Sequence, residues 1–207
     1  MLQRTNGRLL ITLLVVTGLA GTLNNNSVSQ QERKVVLEQL KTGKKDLLNE
    51  IKDLSDKQLS YVSPSTGLSV RKCMFQAAQT EKTMWEILNN AVKGPANPEK
   101  RLIISFTDND LVERVKEGKL SPPVDIIFKQ ANAPWNNITA AVTDFKDLRS
   151  DRIKYMRTST EDLRNHVLQT SFGWIDCYQY ILVITAETNR YIEQIKAIKS
   201  EKKFPRK

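Results

Sequence analysis

The strongest constraint on the fold is a helical repeat of apolar residues near the C-terminus, from Trp174 to Lys199. Its apolar side chains recur at intervals of three and four residues, so they share one side of an α-helix. That side consists of Trp174, Cys177, Tyr178, Ile181, Ile184, Thr188, Ile192 and Ile195. Glu187 and Tyr191 stand four residues apart, so both project from one flank of the same side. The repeat predicts a long helix that must pack against other helices.

The same repeat recurs in three other segments. One predicted helix runs from Glu32 to Leu54, a second begins after the cap residue Ser69, and a third spans about Asn137 to Arg157. A short cap-started segment, Thr160 to Gln169, follows the third helix, and Gly173 is predicted to open the last. Four long amphipathic helices predict an all-α four-helix bundle.

The segment between the second and third helices is irregular in sequence. Gly94 to Trp135 contains five prolines, and the pattern within it predicts one short helix, Asp108 to Glu117. Thr107 is the expected cap of that helix and Gly118 its stop. Leu102 to Phe106 is the one short β-like run in the sequence.

The first 29 residues have the pattern of a secretory signal peptide. Arg4 and Arg8 precede an apolar run, Leu9 to Gly21, and Ser27-Val28-Ser29 supplies the small residues that signal peptidase reads. Cleavage after Ser29 would leave residues 30–207 as one exported domain, periplasmic or extracellular. The alternative is an uncleaved leader that anchors the chain to a membrane, although the run is short of the roughly 20 residues needed to span a bilayer.

The chain is basic, with a formal net charge of +9. Two of its 32 basic residues lie in the leader, which has no acid, so 30 basic against 23 acidic residues leave +7 on the remainder. The C-terminal end holds a basic cluster, Lys199, Lys202, Lys203, Arg206 and Lys207. Stacking aromatic residues do not alternate with these basic residues, and no nucleic-acid-binding motif is present. We therefore expect a solvated helix end and no nucleic-acid partner.

Two charged residues fall on predicted inward faces. Glu81 lies within the apolar stripe of the second helix, and Arg149 lies near the middle of the inward face of the third. A carboxylate that faces a core needs a partner, because burying it alone is unfavourable. Arg149 is the natural partner for Glu81 or for Glu187.

The remaining reactive side chains are few. Cys73 and Cys177 are the two cysteines, and the predicted helix positions separate them too far for a disulfide, so we expect two free, buried thiols. His166 is the one histidine, and we expect it to pack at a helix end rather than act as a base.

Three segments together resemble the DinB-like (DinB/YfiT-like) superfamily of four-helix bundles. They are residues 69–85, residues 145–149 continuing into 158–166, and residues 173–180 continuing through 185–199. The resemblance implies a divalent metal at the bundle mouth, held by three histidines. It places the second-helix ligand at Gln76 and the last-helix pair at Glu187 and Tyr191.

All three ligand positions depart from the family pattern. An amide and a phenol are weak ligands for zinc at neutral pH, and one carboxylate cannot hold a transition metal tightly. We therefore expect no cofactor, and we hypothesise that an ion pair between Glu187 and Arg149 stands where the metal would be.

These observations predict an exported, metal-free and non-catalytic bundle that binds a small molecule or a protein partner at the degenerate metal site. The sequence leaves open whether the chain forms a homodimer. The alternative is a metal- or thiol-dependent transferase with non-histidine ligands, and a third candidate is a membrane-tethered scaffold.

Overall fold

The computed structural model describes residues 28–120 and 134–206. Its helices are α1 (Gln30–Ile51), α2 (Asp56–Ser60), α3 (Val70–Lys93), a 3₁₀ helix (Pro98–Ile103), α4 (Asp108–Lys116), α5 (Ile138–Thr158) and α6 (Cys177–Ser200). Two short strands, β1 (Val167–Thr170) and β2 (Gly173–Asp176), form an antiparallel hairpin.

The four long helices α1, α3, α5 and α6 form a bundle. Helix α6 packs against α1, α3 and α4, while α5 packs against α1 and α3. The connection between α3 and α5 contains α4, as the sequence predicts, and also the 3₁₀ helix, which the sequence pattern does not predict. The all-α four-helix-bundle prediction is confirmed. The signal-peptide prediction falls almost entirely on residues 1–27, which lie outside the described residues.

The predicted helix starts are largely confirmed, because each has a polar cap. The side chains of Ser69, Thr107 and Asn137 each accept a hydrogen bond from a backbone N–H of the first helical turn. Helix α1 begins earlier than predicted, because Ser29 caps it in a reciprocal capping box with Glu32.

The hairpin before α6 corrects two predictions. Gly173 does not open the last helix; it is the first residue of β2, with a φ of 129°. Helix α6 instead begins after Asp176, whose carboxylate accepts from the backbone N–H of Gln179. The β-like run Leu102 to Phe106 does not form a strand, and its first two residues complete the 3₁₀ helix.

Helix α6 is the central element rather than a surface helix with one buried side. Residues 175–188 are all buried, because α1, α3 and α4 cover different sides of the helix. Glu187 and Tyr191, which the sequence places on one flank of the apolar side, are therefore buried as well.

The apolar core of the described residues divides into two clusters along the bundle axis. The first cluster holds Leu40, Met84, Leu88 and residues 177–178 and 180–184 of α6, with α4 packed against them. The second holds Leu47, Met74, Phe145, Tyr191 and Ile195. Cys177 belongs to the first and Cys73 to the second, and both are free and buried, as predicted. None of the described helices is both long and apolar enough to cross a bilayer.

Candidate functional site

A band of polar residues separates the two apolar clusters, and all four long helices contribute to it. In α1 the clusters meet between Leu40 and Leu47, and in α6 between Ala186 and Tyr191. We call this band the polar layer; its members are Gly43, Thr80, Glu81, Arg149, Glu187 and Thr188.

Arg149 is the centre of the polar layer. Its guanidinium Nη2 lies 2.5 Å from Glu81 Oε2, and neither side chain has any solvent exposure. The same nitrogen donates to Thr188 Oγ1 at 2.7 Å, and Thr188 in turn donates to the carbonyl of Ile184. Arg149 thus joins α5 to α3 and α6 through one nitrogen.

Gly43 provides the space for this guanidinium beside α1. A Cβ atom at position 43 would lie 3.6 Å from Arg149 Nη1 and 3.6 Å from Thr188 Cγ2. A longer side chain would have to displace the arginine. Packing therefore explains the absence of a large side chain at this position in the middle of α1, although glycine lowers helix propensity there by about 1 kcal/mol.

The polar layer is not fully hydrogen-bonded. Arg149 Nε and Nη1 and Glu81 Oε1 have no hydrogen-bond partner among the residues that the structure describes. Unpaired buried polar atoms are unfavourable by roughly 1–3 kcal/mol each, more where the group is charged. This pair therefore contributes little to stability in the form described, although losing one partner alone would be strongly unfavourable.

The predicted ligand positions lie where α3 meets α6. Thr80 Oγ1 and Tyr191 Oη share a hydrogen bond of 3.2 Å, and Cys73 Sγ lies 3.9 Å from Gln194 Oε1. These contacts show that the two helices run antiparallel. Gln76 is buried on α3 between Cys73 and Thr80, so it belongs to the same seam.

The hypothesis of an ion pair between Glu187 and Arg149 is wrong. Glu187 Oε2 accepts from Arg190 Nη2 at 2.6 Å and from Arg190 Nε at 3.1 Å, one turn along the same helix. Arg149 pairs with Glu81 instead. Sequence reasoning put a cation beside Glu187 but missed Arg190, whose i,i+3 spacing from Glu187 is a visible signal.

The residues at the ligand positions do not fit a divalent metal. A guanidinium holds the Glu187 carboxylate, and the Tyr191 hydroxyl is engaged by Thr80. A metal at this point would have to displace the Arg190 guanidinium and draw on an amide and a neutral phenol. Across the described ranges, no three His, Cys, Asp or Glu side chains are grouped so that they could hold a metal ion.

The two thiols and the histidine are all buried. Burial raises the pKa of both Cys73 and Cys177 to about 12, so each is a neutral thiol at physiological pH. The two ring nitrogens of His166 lie 2.7 Å from the carbonyl of Asp162 and 3.2 Å from that of Gly94. His166 therefore ties the segment before β1 to the end of α3.

Sequence reasoning missed a second arginine centre, at Arg164. Its guanidinium pairs with Glu32 of α1, with Asp108 at the start of α4 and with Asp176, the cap of α6. It also stacks 4.2 Å from the centroid of the Tyr178 ring. The three carboxylates lie far apart in sequence, so no spacing rule could have found the group. The three helix starts it joins are, however, each marked by a cap residue.

Burial and ion pairing shift the pKa values of Arg164 and its partners in opposite directions. Burial would lower the pKa of Arg164, but hydrogen bonds and charge from Asp108, Asp176 and Glu32 raise it above its ordinary value. Burial would raise the pKa of Glu32, and hydrogen bonds from Arg164 and Ser29 lower it overall. Burial raises the pKa of Asp176, in spite of Arg164.

The fold of this chain is a four-helix bundle whose last long helix is the central one. The solved structure described as "YfiT from Bacillus subtilis is a probable metal-dependent hydrolase with an unusual four-helix bundle topology" shares this fold. The likeness has a TM-score of 0.61 at 11% identity and covers 84% of this chain and 89% of that one.

The resemblance predicted from the sequence is therefore confirmed at the level of the fold. No protein-family model matches the sequence, and no curated protein matches it either.

Proposed function

We propose that this chain is an exported DinB-like bundle that works without a bound metal and without covalent catalysis. The observation that supports the metal-free assignment is the pairing of Glu187 with Arg190, because a guanidinium occupies the carboxylate that would face the metal. The leader pattern of Arg4, Arg8 and the following apolar run supports export.

In this proposal the seam between α3 and α6 is a binding site for a small molecule or a protein partner. Its polar groups are the amide of Gln76, the hydroxyls of Thr80 and Tyr191 and the paired charges of Glu187 and Arg190, so a ligand would exchange hydrogen bonds with them. Such a set recognises a polar ligand by hydrogen bonds without activating it. A thiol-dependent transferase is disfavoured, because both thiols are buried and protonated.

Metal analysis of the purified full-length protein tests the metal-free assignment. We expect far less than one equivalent of zinc, nickel or iron per chain, both as isolated and after incubation with each metal and desalting. Stoichiometric metal that is lost in Glu187→Ala, but kept in Glu193→Ala, would overturn the proposal. Glu193 is a matched control, because it lies on the same helix and pairs with Lys196 at the surface.

A second experiment tests whether the fold can hold the metal that the DinB-like resemblance implies. The triple variant Gln76→His, Glu187→His and Tyr191→His restores the three imidazoles that the resemblance implies. We expect this variant to bind zinc where the native protein does not. If neither binds zinc, the geometry of the seam, and not the identity of its side chains, prevents metal binding.

A further inference from the structure

A groove on the opposite side of the bundle from the α3–α6 seam has the chemistry of a second binding site. It lies between the C-terminal half of α1 and the start of α5, and α2 closes it through Leu59. Its volume is about 520 Å³, which lies within the range of small-molecule pockets.

The floor of the groove is apolar and only partly covered. It is formed by Leu48, Ile51, Leu54, Leu59, Ile138 and Val142. Of these, Leu59 is buried and the other five keep part of their surface exposed. The groove exists because α1 ends at Ile51 and the chain turns away through Asp53, which has a left-handed φ of 59°.

The rim of the groove is positively charged. Lys52, directly after α1, and Lys146 of α5 both line it, and the two other polar lining residues among those described, Asn49 and Thr139, are neutral. None of the described residues that line the groove is a carboxylate. Within residues 28–120 and 134–206, neither lysine ammonium group forms an ion pair or a side-chain hydrogen bond. By contrast, Lys44, one turn before Leu48, is held by the Lys146 carbonyl at 3.0 Å and by Ser150 Oγ at 2.6 Å.

We infer that this groove binds a free amphiphilic carboxylate, such as a medium-chain fatty acid. The carboxylate group meets the positive rim that Lys52 and Lys146 provide, and the alkyl chain covers the floor of leucine, isoleucine and valine. Apolar area removed from water drives the chain onto the floor, while charge complementarity selects a carboxylate over a neutral head group. No residue of the groove belongs to the α3–α6 seam, so this site is independent of the proposed function.

Calorimetric titration of the full-length protein with sodium decanoate, below its micelle concentration, tests the inference. We expect saturable binding of one decanoate per chain, with affinity that rises from octanoate to decanoate to dodecanoate. Decanol should bind at least about tenfold more weakly, because it cannot pair with the lysines. Absence of saturable binding, or equal affinity for decanol and decanoate, would overturn the inference.

Two double variants test the assignment of the rim. Lys52→Ala with Lys146→Ala should weaken decanoate binding by about tenfold or more and leave decanol unchanged. Lys45→Ala with Lys154→Ala removes two exposed lysines from the same two helices outside the groove, and it should bind decanoate normally. An equal loss in both doubles would show a general charge effect and sink the inference.

A vesicle experiment separates a free amphiphile from a membrane surface. Cosedimentation with phosphatidylcholine vesicles containing phosphatidylglycerol should recover little protein. Strong sedimentation without decanoate binding would overturn the inference in favour of a lipid surface. Glu187→Ala should leave decanoate affinity unchanged, so a failure of this inference is distinguishable from a failure of the proposed function.

Discussion

Arg149 and Arg164 are both buried, but the positive charges of the two side chains are compensated in different ways. Arg149 lies at the middle of the bundle with no exposure, one carboxylate partner and two nitrogens that no described residue satisfies. Arg164 lies near one end, keeps slight exposure, and meets three carboxylates and an aromatic face. A buried charge stabilises a fold when its hydrogen bonds are complete. When they are incomplete, the ion pair adds little stability, although removing one partner alone is strongly unfavourable.

The two centres also differ in what they hold together. Arg164 joins the starts of α1, α4 and α6, so it fixes elements that are distant in sequence. Arg149 lies between the two apolar clusters and pairs with a single carboxylate, that of Glu81. We therefore expect Arg164 to be important for assembling the fold and Arg149 to be replaceable, provided that its partner is replaced as well.

The largest expected effect is at Arg149. Arg149→Met leaves the Glu81 carboxylate buried without its cation, and we expect a loss of about 3–5 kcal/mol in the free energy of unfolding. Adding Glu81→Leu removes the charge as well, and it should return stability to the native value or above it. Urea unfolding of both variants measures this, and a double variant as unstable as the single one would refute the comparison.

Arg164→Ala should destabilise the protein by about 2–3 kcal/mol, because Asp176 is left buried without a cation and two further ion pairs are lost. No single second substitution should rescue it, since Asp176 also caps α6. Arg164→Lys should recover only part of the loss, because an ammonium group cannot reproduce the guanidinium fork or its stacking on Tyr178. Full recovery in the lysine variant would contradict the proposed role of the fork.

The pH dependence of the free energy of unfolding should reveal the contribution of the ionised Glu32 carboxylate. Its pKa is lowered in the folded protein, so its contribution is complete above its ordinary value near 4.5 and is lost as the pH falls through the lower folded value. Asp176 acts in the opposite sense, because an acid whose pKa is raised by folding loses stability as the pH rises. Glu32→Gln keeps a capping side chain while removing the charge. Its stability deficit at neutral pH should shrink in acid, and a deficit that does not change with pH would exclude the charge as its cause.

The smallest expected effect is at Gly43. Gly43→Ala places a methyl group at ordinary contact distance from Arg149 and Thr188, and it improves helix propensity by about 1 kcal/mol. We expect a small gain in melting temperature, whereas Gly43→Leu should destabilise the protein by displacing the guanidinium. A clear loss in the alanine variant would show that the space beside Arg149 Nη1 is needed by something else, such as an ordered water.

The bundle was predictable because long apolar repeats and cap residues are local signals. Helix α3 begins after Ser69 as predicted, and α4 follows Thr107. The hairpin before α6 was missed because its strands have four residues each, too few for an alternating pattern to appear. The sequence Asp176-Cys-Tyr-Gln179 does, however, carry a capping pattern that marks the true start of α6.

The site was less predictable than the fold, because partners depend on tertiary contacts. Periodicity put Glu81 and Arg149 inside, but it could not choose between Glu81 and Glu187 as the partner of Arg149. The burial of Glu187 and Tyr191 follows from the central position of α6, and a single helix pattern does not show how many neighbours a helix has. The Arg164 centre depends on three long-range contacts and left no trace in the spacing of residues.

The start of α1 restricts how a leader could be removed. Val28 is 5% exposed and belongs to the first apolar cluster, and Ser29 caps the helix. Cleavage after Ser29 would discard both and place a positive α-amino group at the positive end of the helix dipole. Removing a serine cap alone is unfavourable by about 0.5–2 kcal/mol. If a leader is removed, cleavage after Ser29 would weaken the start of α1, whereas a chain that begins at or before Val28 would keep both residues.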